Sequence, residues 1–219
     1  MVAEKIITTA ILPLRTSDTG DQALAIMDDF HVRHLPIVND KQLLGVISDD
    51  DILLHDVGEA VGSYALSLRR PYVKDTDHIY EVMRLLAEHQ LTVIPVVNAD
   101  NDYEGMISQE DVLNFFARTA SFSDTGSIVV LEIGRRDYSM TEISRIVESE
   151  GAVILSSFIT SEQDANLIEV TIKINRQNIQ NIISTFERFN YSIKASFNEQ
   201  EYLESLQERY DSLMSYLSI

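Results

Sequence analysis

Leu44-Gly-Val-Ile-Ser-Asp-Asp-Asp51 and Glu104-Gly-Met-Ile-Ser-Gln-Glu-Asp111 decide the fold. Each is a short β-rich run that ends in Ser-x-x-Asp and then opens on an apolar pattern of helical spacing. Reading outward from them, the whole neighbourhood repeats. Asp18 falls on Asp77, Pro36 on Pro95, Val38 on Val97 and Asn39 on Asn98 at an offset of 59, and Gly45, Ile47, Ser48 and Asp51 fall on Gly105, Ile107, Ser108 and Asp111 at 60. The slip of one residue lies in a polar turn, Asn39-Asp-Lys41 against Asn98-Ala-Asp-Asn-Asp102. Such a constant register marks a duplicated unit.

The unit has one local logic. Asp18 or Asp77 stands at an N-terminal capping region, and Ala23, Leu24 and Met27, or Ile79, Val82, Met83 and Leu86, follow on one helix face. Next come a strand, Leu35–Val38 or Ile94–Val97, and a second strand, Leu44–Ile47 or Glu104–Ile107. Each proline is expected at a strand start or an edge position. Helix, strand, strand, helix over about 45 residues buries too little alone, so the copies should pack together.

Composition sets the exclusions. With 45% hydrophobic and 24% charged residues the 219-residue chain reads as globular, and its length suits two domains. No apolar run approaches the roughly 20 residues of a membrane helix. Glu4 and Lys5 stand where a signal peptide needs its apolar stretch, so the expected compartment is the cytoplasm. Zero cysteines exclude disulfides, thiolate catalysis and zinc–thiolate sites. The net charge of −18 and the lack of a basic stripe argue against nucleic acid and anionic membrane as partners.

A strand that ends in Ser-x-x-Asp at a helix start exposes backbone N–H groups and the positive end of the helix dipole, which attract phosphate. Ser48 or Ser108 can donate to a phosphate oxygen, and Asp51 or Asp111 can accept from a ribose diol. The same residues can equally serve as helix caps, and the two roles are compatible. Asp49-Asp50-Asp51 points in three directions at a helix start and reads as dipole compensation, not a metal site. His31, His34, His55 and Asp56 have no catalytic or ligand spacing, so no enzyme activity, metal or required cofactor is expected.

The paired signatures, each behind a hydrophobic-Pro strand, resemble CBS domains, two of which form a Bateman module over roughly residues 1–120. The resemblance implies an adenosine ligand, with basic residues just before the first strand meeting its phosphates. Arg33-His34 stand there in the first copy and Thr92-Val93 in the second. The favoured nucleotide site is therefore Arg33, His34, Ser48 and Asp51, with Lys74, Asp75, Thr92 and Val93 completing it. A second candidate site comprises Thr16, Asp18, Ser108 and Asp111.

After Gly126 the pattern changes. Ser127–Ile133, Val153–Thr160, Leu167–Ile174 and Tyr191–Phe197 read as strands, and Met140–Val147 and Ile179–Phe189 as helices, the first ended by Gly151. The order βαββαβ is ferredoxin-like. Glu142–Ile154 gives this stretch its resemblance to an ACT domain. Arg135-Arg-Asp-Tyr138 replaces the family's Asp-x-x-Gly turn, and Tyr138 removes room that a glycine leaves; amino-acid binding and subunit pairing both stay open. From Glu199, Leu203, Leu206, Tyr210, Leu213 and Leu217 form a seam suited to a helix docked on a partner subunit or on its own domain.

The expected architecture is thus α+β: CBS repeats at 1–62 and 63–122, an ACT-like domain at 127–197 and an amphipathic helix at 199–219, in the order of acetoin-utilisation type CBS–ACT regulators. The expected function is a homodimeric regulatory sensor of an adenine nucleotide of the AMP or ADP class, acting on a downstream target the sequence does not name. The alternatives are a ligand-free scaffold, a sensor of S-adenosylmethionine or an amino acid, and an enzyme using the acidic cleft.

Overall fold

The computed structural model describes residues 1–64, 70–119, 122–161 and 166–198, together with Met214 and Tyr216. The expected tail seam at 203–217 and residues 162–165 of the acidic loop lie outside the described residues. The chain divides into two compact units, Met1–Phe115 and Phe116–Ile219.

In the first unit, α1 (Gly20–Asp29), β1 (His34–Asn39), β2 (Gln42–Ser48) and α2 (Asp49–Leu53) are followed by β3 (Val73–Lys74), α3 (Ile79–Glu88), β4 (Val93–Val97), β5 (Tyr103–Ser108) and α4 (Gln109–Thr119). β1 pairs antiparallel with β2 and β4 with β5, and the two hairpins are bulged at the same place, Ile37/Val38 and Val96/Val97. Leu14 lies parallel to Ile37 as Val73 lies parallel to Val96. His31 and Gln90 both end their helices at φ +52°, a left-handed cap without glycine. The duplication is thus kept to single dihedrals.

Three details refine the sequence reading. Thr19, not Asp18, caps α1, in a reciprocal box with Gln22, and His78 caps α3. Asp18 and Asp77 instead accept the backbone N–H groups of Arg15 (2.7 Å) and Lys74 (2.8 Å), which fixes the turn before each cap. Pro36 and Pro95 are the third residues of their strands. Met106, opposite Pro95, exchanges its hydrogen bonds with Thr8, so the proline nitrogen faces away from the hairpin and no ladder bond is lost.

Each repeat's leading segment docks on the other repeat. The Ala3 N–H donates to Asp77 O and the Val61 N–H to Asp18 O, both at 2.8 Å. One core cluster joins Leu35, Ile37 and Ile47 of the first copy to Val93 and Met106 of the second. Each such side chain contributes roughly 2 kcal/mol by burial, and neither copy can bury its own set alone.

The second unit runs β6 (Ser127–Gly134), α5 (Met140–Ser149), β7 (Ile154–Thr160), β8 (Leu167–Ile174), α6 (Gln180–Arg188) and β9 (Ser192–Asn198). Its sheet order is β7-β8-β6-β9, antiparallel throughout, which is the ferredoxin-like arrangement expected. Val129, Leu131, Val170 and Ile172 alternate onto one face and pack with Ile143, Ile146, Ile182 and Phe186 of the helices. Gly151, at φ +68°, follows α5. Among the described residues no helix is long and apolar enough to cross a membrane.

Candidate functional site

The two Ser-x-x-Asp motifs fold alike. Ser48 Oγ donates to Asp51 Oδ2 at 2.7 Å and accepts from the Asp51 N–H at 3.0 Å, while the Ser48 N–H donates to the same carboxylate oxygen. Ser108 and Asp111 repeat all three bonds, with the hydroxyl at 2.6 Å. Both serine hydroxyls therefore cap their helices. The phosphate-donor role expected of Ser48 and Ser108 has no hydroxyl hydrogen left to use in this geometry.

Arg33 differs from expectation for a related reason. Its guanidinium holds Asp49 through two contacts (2.7 and 3.0 Å) and Asp50 through a third at 3.0 Å. The Asp49 hydrogen bond and the charges of both acids raise its pKa. Burial works against the Asp49 carboxylate, but the Arg33 contact and the Asp50 N–H prevail and hold it below its ordinary value. The cation expected to face a phosphate faces two carboxylates.

Arg33, His34 and Thr92 do come together, where the starts of β1 and β4 meet. The Arg33 N–H donates to Thr92 Oγ1 at 2.8 Å, and His34 Nδ1 lies 3.2 Å from both the Thr92 hydroxyl and its N–H donor. Because Nδ1 accepts a backbone N–H, that nitrogen carries no proton. Burial lowers the His34 pKa, with Asp49 opposing. Val93 is buried opposite Ser108 in the register, as His34 is opposite Ser48.

Lys74 and Asp75 are elsewhere. β3 runs beside Val96 and Val97, at the far end of β4 from Thr92, because the chain enters β4's edge there. Thr16 is likewise apart from Ser108 and Asp111: it lines an open groove of about 720 Å³ with Arg15, Val38 and Asn39, and Asp18 is bonded to the neighbouring turn.

Ser108 and Asp111 instead line a pocket of about 350 Å³, with Thr8, Ala10 and Ile11 of the leading segment, Phe30, His31 and Val32 after α1, and Thr92. The sequence reading gave this motif leading residues of the first copy but chose Thr16 and Asp18, and so missed Thr8, Ala10 and Ile11, which lie earlier on the same segment. Phe30 presents an aromatic ring, and among the described residues Glu110 and Asp111 are the pocket's charged side chains, with no Lys or Arg. Asp51, by contrast, is only 4% exposed. Among the described residues no three His, Asp or Glu side chains could hold a metal ion.

The model of the CBS domain matches residues 2–58 and 62–118, over both copies of the motif and both hairpins. The chain belongs to the CBS domain family. A homoserine O-acetyltransferase from Methanobrevibacter ruminantium is 30% identical over 122 residues, and this CBS chain spans 23% of that relative's length. Among solved structures, a CBS domain pair/ACT domain protein from Thermotoga maritima is 25% identical over 53% of this chain and 96% of its own, with a TM-score of 0.48. CBSX2, solved in complex with AMP, is 27% identical over 52% of this chain and 94% of its own, with a TM-score of 0.45.

Proposed function

We propose that this CBS pair is a regulatory sensor that binds an adenine nucleotide of the AMP or ADP class between its repeats and performs no catalysis. The observation that carries the reading is the hollow that takes Phe30 and His31 from one repeat and Ser108 to Asp111 from the other. A base can stack on Phe30, worth about 1–3 kcal/mol for such contacts. Asp111 spends one carboxylate oxygen on its cap, and the other is the acceptor we assign to the ribose hydroxyls. A ligand touching both copies favours one arrangement of them over another, and in a homodimer that preference reaches the second subunit. The pocket at Ser108 and Asp111 is the first seat; the matching position at Ser48 and Asp51, with its buried carboxylate and Arg33 held by two acids, is the weaker candidate.

Calorimetry with AMP, ADP, ATP and S-adenosylmethionine tests this. Heat with AMP or ADP, weakened at least tenfold by Asp111→Ala and less by Asp51→Ala, is the expected result; a tenfold loss is about 1.4 kcal/mol. No heat at millimolar ligand removes the reading. One observation favours a ligand-free scaffold instead, namely that both Ser–Asp pairs are satisfied without any ligand. A melting temperature unmoved by the same panel would select it.

A further inference from the structure

We infer that the hollow at the joined hairpin tips of the first unit binds the zwitterion of a free α-amino acid with an apolar side chain. The hollow measures about 430 Å³, inside the roughly 300–1,000 Å³ of small-molecule sites. It lies where the two repeats meet at their turns. Gln42 bridges Asp102, and the Tyr103 N–H donates to Lys41 O at 2.7 Å. The pocket at Ser108 and Asp111 is at the other end of β5 and shares no lining residue with this one. The inference therefore does not rest on the nucleotide reading.

The one-residue slip in the duplication shapes the site. The longer, second turn is held in a fixed form: Asn98 Oδ1 accepts the N–H groups of Asp100 and Asp102, both at 2.9 Å, and Asn101 takes φ +64°. Asp100 is thereby set on the rim of the hollow. Leu43 falls on Tyr103 in the duplication, so this corner carries the smaller side chain of the two. Leu43 and Val97 are buried and give the hollow an apolar base, and Tyr72, which is part exposed, adds an aromatic ring beside it.

The charges name the ligand. Arg70 and Asp100 line the same hollow without reaching each other, and among the described residues neither has an ion-pair partner. Asp102 is already matched by Lys41 at 3.5 Å. One cation and one anion held apart beside an apolar base are the complement of a dipolar ion. The Arg70 guanidinium can donate two parallel hydrogen bonds to an α-carboxylate, and Asp100 can accept from the α-ammonium. Leu43, Val97 and Tyr72 then receive the side chain. A phosphate would meet Asp100 as well as Arg70, and a bare amine would leave Arg70 unmatched, so neither fits as well.

Calorimetry of the full chain with leucine tests this, against isoamylamine, which lacks its carboxylate, and isocaproate, which lacks its ammonium. Leucine should bind at least tenfold more tightly than either. Arg70→Gln should weaken leucine at least tenfold and leave the amine unchanged, and Asp100→Asn should weaken leucine equally and leave the acid unchanged. Both side chains are exposed, so the substitutions spare the fold. No heat from leucine, methionine or phenylalanine at millimolar concentration overturns the inference. Binding of the amine or the acid as tight as that of leucine also overturns it, by marking a simple ion site. Leucine binding indifferent to both substitutions would place the amino acid elsewhere in the chain and overturn the assignment.

Discussion

His34 shows how one side chain joins the copies and ties their junction to pH. Its Nδ1 must stay unprotonated to accept from Thr92. The groups around it are Asp49, Arg33, Asp51 and Asp50, and burial outweighs the acids that would favour a charge. Its folded pKa is therefore below the unfolded value of about 6.5, and the unfolded chain binds more protons as pH falls. The contribution of the neutral ring is complete above about pH 6.5 and is lost as pH drops from there towards the folded pKa. Urea midpoints at pH 7.5 and 5 should differ for the native chain, and less for His34→Asn, which keeps an acceptor but does not titrate. Equal pH slopes for the two proteins would show that this ring is not the sensing group. Arg33 is the companion lesson. Its presence before β1 was legible in the sequence, but its partners were not, since whether Asp49 and Asp50 turn towards it depends on how α2 leaves β2.

At the scale of elements, the strands and helices were readable because duplication and alternation speak twice for each. β8 runs over the very span expected, Leu167–Ile174, because hydrophobic residues at every second position admit one face assignment. What alternation cannot carry is exchange. Nothing in the residues around Thr8 says that it bridges Met106 of β5 instead of a residue of β2, because the choice lies in topology and not in local preference. Thus the pocket's Thr8 and Ile11 went unforeseen, and Lys74 and Asp75 were expected where β3 does not run. Gly105 records the exchange in the backbone. It sits at φ +154°, and a Cβ there would strike Ile7 of the crossing segment and press on Thr8 O. Gly105→Ala combines a glycine-only conformation with a clash, so it should lower stability by about 2 kcal/mol. Denaturant unfolding of the two proteins side by side measures it. A loss within experimental error would mean that the leading segment docks loosely enough to move aside.

Over the whole molecule the dominant quantity is charge. A net −18 makes every part of the surface repel every other, whereas the ion pairs that oppose it are exposed ones such as Arg84 with Glu81 and Lys41 with Asp102. Pairs of that kind contribute roughly 0–1 kcal/mol each, and salt weakens them together with the repulsion. Seventeen cations cannot pair with 35 acids, so a large unpaired acidic remainder decides the sign. Added sodium chloride should raise the melting temperature, most steeply below about 0.15 M, where the screening length shrinks towards roughly 8 Å. The same field discourages polyanions, and among the described residues the pocket beside Glu110 and Asp111 offers them no Lys or Arg. Salt should therefore strengthen binding of ADP more than of AMP when both are titrated at low and at high ionic strength. A melting temperature that falls with salt would mean that the paired charges matter more than the unpaired ones. In that event the acidic surface would be a set of local contacts and not a field, and the expected preference for the less charged nucleotide would lose its basis.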